Sequence, residues 1–200
     1  MNRLFLLLLV ALVAIACKKD DEEPETPQTQ NFAPAVGQGL TALHYDDFNT
    51  DAPQMEPGTY EKGARFTQTQ LTSVSEGRLV QVQYYMVEKP TTAQLRVYKA
   101  GSGSDGPADL VYSENVLPEM QRNSWNVHTL SDSVFIDSET LWITLRYQVS
   151  SQEKYLGCDP GPASTNGDWI FEMSEQNWER FVERTGTSIN WNIRGVIEPE

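Results

Sequence analysis

Asp47, Asn49 and Asp51 stand at every second position of the stretch DFNTD, and each carries a side-chain oxygen. Hard cations take six to eight oxygen ligands, and alternate positions of a loop can aim several oxygens at one point. The chemistry implied is a structural Ca2+ site built by Asp46, Asp47, Asn49 and Asp51, with Asp168 as a further ligand if the strands bring it close. The same residues also suit an Asx-rich turn that caps its own backbone. Both readings stay open on the sequence, and nothing else in the chain requires a cofactor.

A second candidate is GCDPGPASTNGDW, residues 157–169. Its glycines and prolines impose a particular backbone path, Asp159, Asn166 and Asp168 offer acceptors along it, and Trp169 stands at its exit. A sugar ring stacks its C–H face on an aromatic ring and pairs its hydroxyls with nearby oxygens. These four residues are therefore the expected ligand-binding set. A tryptophan at the start of a strand also serves as core, and the same alternative holds for Trp125, Trp142, Trp178 and Trp191. Cys158, in the same loop, reads as a small packed residue.

Catalytic motifs are missing. There is no Gly-x-Ser-x-Gly elbow, no His-Glu-x-x-His and no glycine-rich phosphate loop ending in Lys and Ser or Thr. A glycosidase needs two carboxylates at a set separation, but among 28 acidic residues some pair can always be nominated. His44 and His128 are the only histidines, and His128 alternates with Val127 and Thr129 as a strand residue would. With only these two histidines and no cysteine pair, the sequence argues against zinc as well. A formal charge of −13 argues against nucleic acid, whose phosphates reward lysine and arginine. The expectation is a protein that is not an enzyme.

Positioning of these residues begins with the first forty positions. Leu4 to Ala16 is apolar throughout and follows a short start carrying Arg3. Thirteen such residues reach ~20 Å as a helix, short of a ~30 Å hydrocarbon core, which is the pattern of a secretory signal. Ala14-Ile15-Ala16-Cys17 resembles the lipobox of bacterial lipoproteins. That resemblance implies cleavage before Cys17 and acyl chains, palmitate among them, on its sulfur and its new amino end. Membrane contact through those chains would be close to permanent. Lys18-Lys19-Asp20-Asp21-Glu22-Glu23 resembles the export signal of surface lipoproteins of the Bacteroidota, which implies an outer-membrane, cell-surface location. Alternatively the run is only a solvated charge tract at the head of a tether. The expected organisation is a signal peptide over 1–16, an acylated, acidic and flexible tether over 17–38, and one β-sandwich domain over 39–200. With Cys17 acylated, Cys158 is the one remaining thiol, so no internal disulfide is available.

Downstream, the pattern is that of short strands. Gly77 to Met86 alternates with Val80, Val82, Tyr84 and Met86 on one face. Leu95 and Val97 oppose Arg96 and Tyr98, and Leu141, Ile143, Leu145, Tyr147 and Val149 share one side. Gln176 to Arg184 suits a short helix or a strand with Trp178 buried. About nine or ten strands separated by turns predict an all-β, antiparallel, jelly-roll-like sandwich.

The order of several motifs is similar to a jelly-roll β-sandwich module of Bacteroidota surface proteins, related to peptidase-associated and cleaved-adhesin modules. The matching pieces are Tyr45-Asp46-Asp47, Gly63-Ala64-Arg65-Phe66, Val82-Gln83-Tyr84-Tyr85, Leu95-Arg96-Val97-Tyr98, Ser124-Trp125-Asn126 and Leu141-Trp142-Ile143. Gly161-Pro162-Ala163, Gly167-Asp168-Trp169-Ile170 and Trp191-Asn192-Ile193-Arg194 complete the series. The resemblance implies a non-catalytic adhesion or binding module whose partner is a glycan or an envelope protein. A structural subunit of an outer-membrane complex is the alternative, and a hydrolase comes third.

Overall fold

The computed structural model describes residues 31–101, 106–137 and 139–200. The expected signal segment 1–16, the acylation site Cys17 and the charge run 18–23 lie outside the described residues. Among those described, no helix is long and apolar enough to cross a membrane.

Period-two patterning organises the chain. On β8 (Leu141–Val149), Leu141, Ile143, Leu145, Tyr147 and Val149 all enter one core, and on β5 (Thr92–Gly101) Ala93, Leu95 and Val97 do the same. On β4 (Arg78–Met86) the expected phase fails at one end. In the pairing with β12 (Ile193–Glu198), a bulge between Leu79 and Gln81 puts two residues of β4 opposite one, so Leu79 is fully buried while Val80 is turned aside. Val82, Tyr84 and Met86 keep the inward face.

The strands form two principal antiparallel sheets packed as a sandwich. The larger has the order β11-β10-β3-β8-β5-β6, where β3 is Gly58–Phe66, β6 Pro107–Asn115, β10 Trp169–Glu172 and β11 Asn177–Arg180. The smaller has the order β1-β12-β4-β7, with β1 at Thr41–Leu43, β7 at Ser124–Phe135 and β12 at Ile193–Glu198. A two-stranded ribbon joins β2 (Gln54–Met55) to β9 (Glu153–Lys154). From β3 to β4, β4 to β5, β6 to β7, β7 to β8 and β11 to β12 the chain changes sheet, as jelly-roll winding requires.

Among the described residues, α-helix is confined to two single turns, α1 (Gln68–Leu71), which runs on into a 3-10 turn over Thr72–Val74, and α2 (Phe181–Thr185). The segment that suited either helix or strand is both in succession: β11 pairs with β10, then α2 closes at Gly186, whose positive φ of 74° suits glycine. The sandwich also reaches upstream of residue 39. Asn31 donates from Nδ2 to Tyr85 Oη at 2.9 Å, its carbonyl accepts from Trp125 Nε1 at 3.0 Å, and Phe32 packs on Phe48.

Candidate functional site

The aspartates expected to share a cation are directed to separate partners. Asp46 is fully buried and accepts from Arg194 Nε at 3.0 Å, Arg194 Nη2 at 2.8 Å and Asn192 Nδ2 at 2.8 Å. Burial pushes its carboxyl up, against the opposing pull of the Arg194 guanidinium. Asp47 contributes its backbone carbonyl to the same arginine at 2.7 Å. Asn49 Oδ1 is buried without a hydrogen-bond partner among the described residues and lies against Gly157, where an added Cβ would meet it. Asp51 accepts from Lys154 at 2.6 Å at the surface. No three His, Cys, Asp or Glu side chains among the described residues group as a metal site.

The 157–169 loop is likewise engaged from within. Asp159 is buried and accepts from the backbone of Gly161 at 2.9 Å and of Asn190 at 2.7 Å. Asn166 Oδ1 accepts from Arg65 Nε at 2.9 Å. Asp168 is fully buried, ion-paired with Arg180 and capping the amide of Val182 at 3.0 Å. Trp169 is 6% exposed and packs edge-on against Trp142, which is 0% exposed. Asp168 is thus held by an arginine, and Asp159 by backbone amides and the Asn190 side chain. The loop brings Asp159, Asn166, Asp168 and Trp169 into the fold rather than onto its surface.

A different set of polar residues is presented outward. Alternation that sends Leu95, Val97, Leu145 and Tyr147 into the core sends Gln94, Arg96, Arg146 and Gln148 to the outer face of the six-stranded sheet. Strand register then lays them side by side. Thr59, Gln148 and Thr92 form one row across β3, β8 and β5; Glu61, Arg146, Gln94 and Asn115 form the next; Gly63, Thr144 and Arg96 form the third. Thr59, Thr92, Gln94, Arg96, Asn115, Arg146 and Gln148, with Leu117 and Ala93, line a groove of about 500 Å³, while Glu61, Gly63 and Thr144 are not part of its lining.

The groove is braced from beneath. Glu61, 4% exposed, accepts from Thr144 Oγ1 at 2.6 Å, from Tyr98 Oη at 2.7 Å and from Arg96 Nη1 at 3.3 Å. Burial, reinforced by Glu61, pushes the Tyr98 phenol up to about 12, so it stays a donor. Beyond it, the same sheet face is closed by an aromatic cluster of Tyr98, Trp142, Trp169 and Trp178. Arg96 and Arg146 are therefore held on a rigid sheet. Sequence reasoning missed this set because its members come from residues 59, 92–96, 115 and 146–148; polar alternation showed which way each side chain faces, and only register shows that they meet.

Groups with nucleophilic potential lie elsewhere. Cys158 is buried, and burial pushes its thiol up to about 12, so it is not a thiolate at neutral pH. His128 sits on β7 with Nε2 at 3.0 Å from Tyr112 Oη and 3.4 Å from Glu114.

No protein-family model and no curated protein matches the chain. Among solved structures it is similar to the clostridial cysteine protease Cwp84 after propeptide cleavage, with a TM-score of 0.62 at 8% identity, covering 84% of this chain and 42% of that one. It is also similar to a structure of the cysteine protease and lectin-like domains of Cwp84, a surface layer associated protein of Clostridium difficile. There the TM-score is 0.55 at 9% identity, covering 84% of this chain and 37% of that one. The chain thus spans less than half the length of either. At this identity the likeness shows a shared β-sandwich fold.

Proposed function

We propose that the protein is a lipid-anchored, non-catalytic binding module displayed at the outer membrane, with a glycan or an envelope protein as its partner. The groove on the outer face of the six-stranded sheet carries this reading: seven of its nine lining residues present hydrogen-bonding side chains on a sheet support, with no cysteine, histidine or carboxylate among them. The likeness to the cysteine protease and lectin-like domains of Cwp84, a surface layer associated protein, supports a binding role at a cell boundary. The lipobox-like Ala14-Ile15-Ala16-Cys17 supports the anchor. A structural subunit is favoured by exposed apolar residues on edge strands, Leu110 (49%) and Val111 (43%) on β6 and Val127 (46%) and Phe135 (43%) on β7.

A glycan array probed with the full-length protein tests the proposal. Retention of a defined glycan class is expected, together with palmitate labelling lost in Cys17→Ala. A silent array combined with stoichiometric capture of an envelope protein would move the assignment to a subunit. Turnover abolished by one carboxylate substitution would move it to a hydrolase.

A further inference from the structure

We infer that the sheet groove takes an anionic sugar, a glycan bearing a carboxylate or sulfate that Arg146 grips and Arg96 flanks. The inference rests on the binding-module reading and names its ligand class. Arg146 lies at the centre of the groove, and its guanidinium makes no salt bridge with any described carboxylate; its one hydrogen bond is to Met173 Sδ at 3.8 Å. Its cross-strand neighbour Glu61 is already engaged by Tyr98, Thr144 and Arg96. Arg96 keeps a buried Nε without a partner. No acidic residue lines the groove, although the chain as a whole carries 28 acids against 15 basic residues. An uncompensated arginine in so acidic a protein marks the place where a negative ligand is accepted.

The chemistry narrows the class further. A guanidinium fork matches the two oxygens of a carboxylate or sulfate, and flanking amides of Gln94, Gln148 and Asn115 can both donate to and accept from sugar hydroxyls. A neutral sugar held by stacking is not served, because no aromatic ring lines the groove and Trp142 and Trp169 are buried. An acidic protein surface fits less well, since protein interfaces centre on aromatic and apolar anchors, whereas this groove has the size of a small-ligand site.

Calorimetric titration of the full-length protein in neutral detergent tests the inference, using oligogalacturonate, a sulfated oligosaccharide and a neutral galacto-oligosaccharide of equal length, with polyglutamate as the peptide arm. Binding of one or both acidic sugars is expected, weakening as salt rises. Arg146→Gln should reduce that affinity about 10- to 100-fold without lowering the melting temperature, and Arg146→Lys should fall between. The two acidic arms show which anion is preferred. Equal affinity for the neutral sugar, wild-type affinity in Arg146→Lys, tighter binding of polyglutamate, or silence across all four probes would each overturn the inference. Those results leave the binding-module reading standing so long as the glycan array or an envelope capture is positive.

Discussion

Glu61 and Lys62 are consecutive on β3, both are buried, and they face opposite sides of the six-stranded sheet. Glu61 faces outward and has a donor for each oxygen, from Thr144, Tyr98 and Arg96. Lys62 faces the interior, where its Nζ has no hydrogen-bond partner among the described residues. It lies instead 4.2 Å from the centroid of the Trp191 ring, with Tyr147 at 5.8 Å and Phe181 at 5.9 Å. Burial pushes its amine down to about 7, so near neutral pH the charge is partly shed. One side chain is met by complete pairing; the other survives through π faces and proton release. The difference separates a face built to present charge from an interior that only tolerates it.

Removing the paired charge should have the largest effect. Glu61→Ala leaves Arg96, Tyr98 and Thr144 without their acceptor and is expected to cost about 3–5 kcal/mol in urea unfolding. A loss under about 1 kcal/mol would mean that water replaces the carboxylate and the outer face is less dry than its burial implies.

Lys62→Met should act in the opposite direction. The substitution keeps a long flexible side chain of similar volume and removes an unpaired amine, so a gain of about 2–4 kcal/mol at pH 7 is expected. Lys62 titrates at about 7 when folded and 10.5 when unfolded. The unfolded chain therefore holds more protons between those values, and stability rises with pH across that window and is unaffected by this group below it. Cys158 and Tyr98, both raised by burial to about 12 from 9.0 and 10.0, act the other way once their unfolded forms ionise. Wild-type stability should thus rise above pH 7 to a maximum near pH 9. Lys62→Met should be flat over that rise, and a persisting slope would assign it to another group.

How much of this contrast the sequence displays depends on the distance over which the information acts. Alternation on β5 and β8 reads directly, because each strand's two faces are written in adjacent residues. The phase of β4 does not, because a bulge at Leu79–Gln81 is set by pairing with β7 and β12. Lys62 looks like an ordinary outward lysine in TYEKGARF, yet Tyr60, Ala64 and Phe66 share its inward face. Asp46 and Asp168 look available until Arg194 and Arg180 are brought to them by the fold. The groove is the extreme case, assembled from four strands by register alone.

The smallest expected effect concerns the DFNTD corner, where Asp46 and Asp51 repeat the solution used by Glu61. Asp46 has its charge met by Arg194 and Asn192, Asp51 has Lys154, and a cation would have to displace those partners before it could be coordinated. A calcium site with a Kd 1,000-fold below the added concentration would stabilise the fold by about 4 kcal/mol. In a domain of this size that moves the melt by roughly 10 °C. The expected change on adding calcium, or on chelating it, is under about 2 °C. A larger shift that reverses with chelator would show that the Asp46–Arg194 pair opens to bind the ion, and that this corner belongs with the regions that accept ligands rather than with those that satisfy themselves.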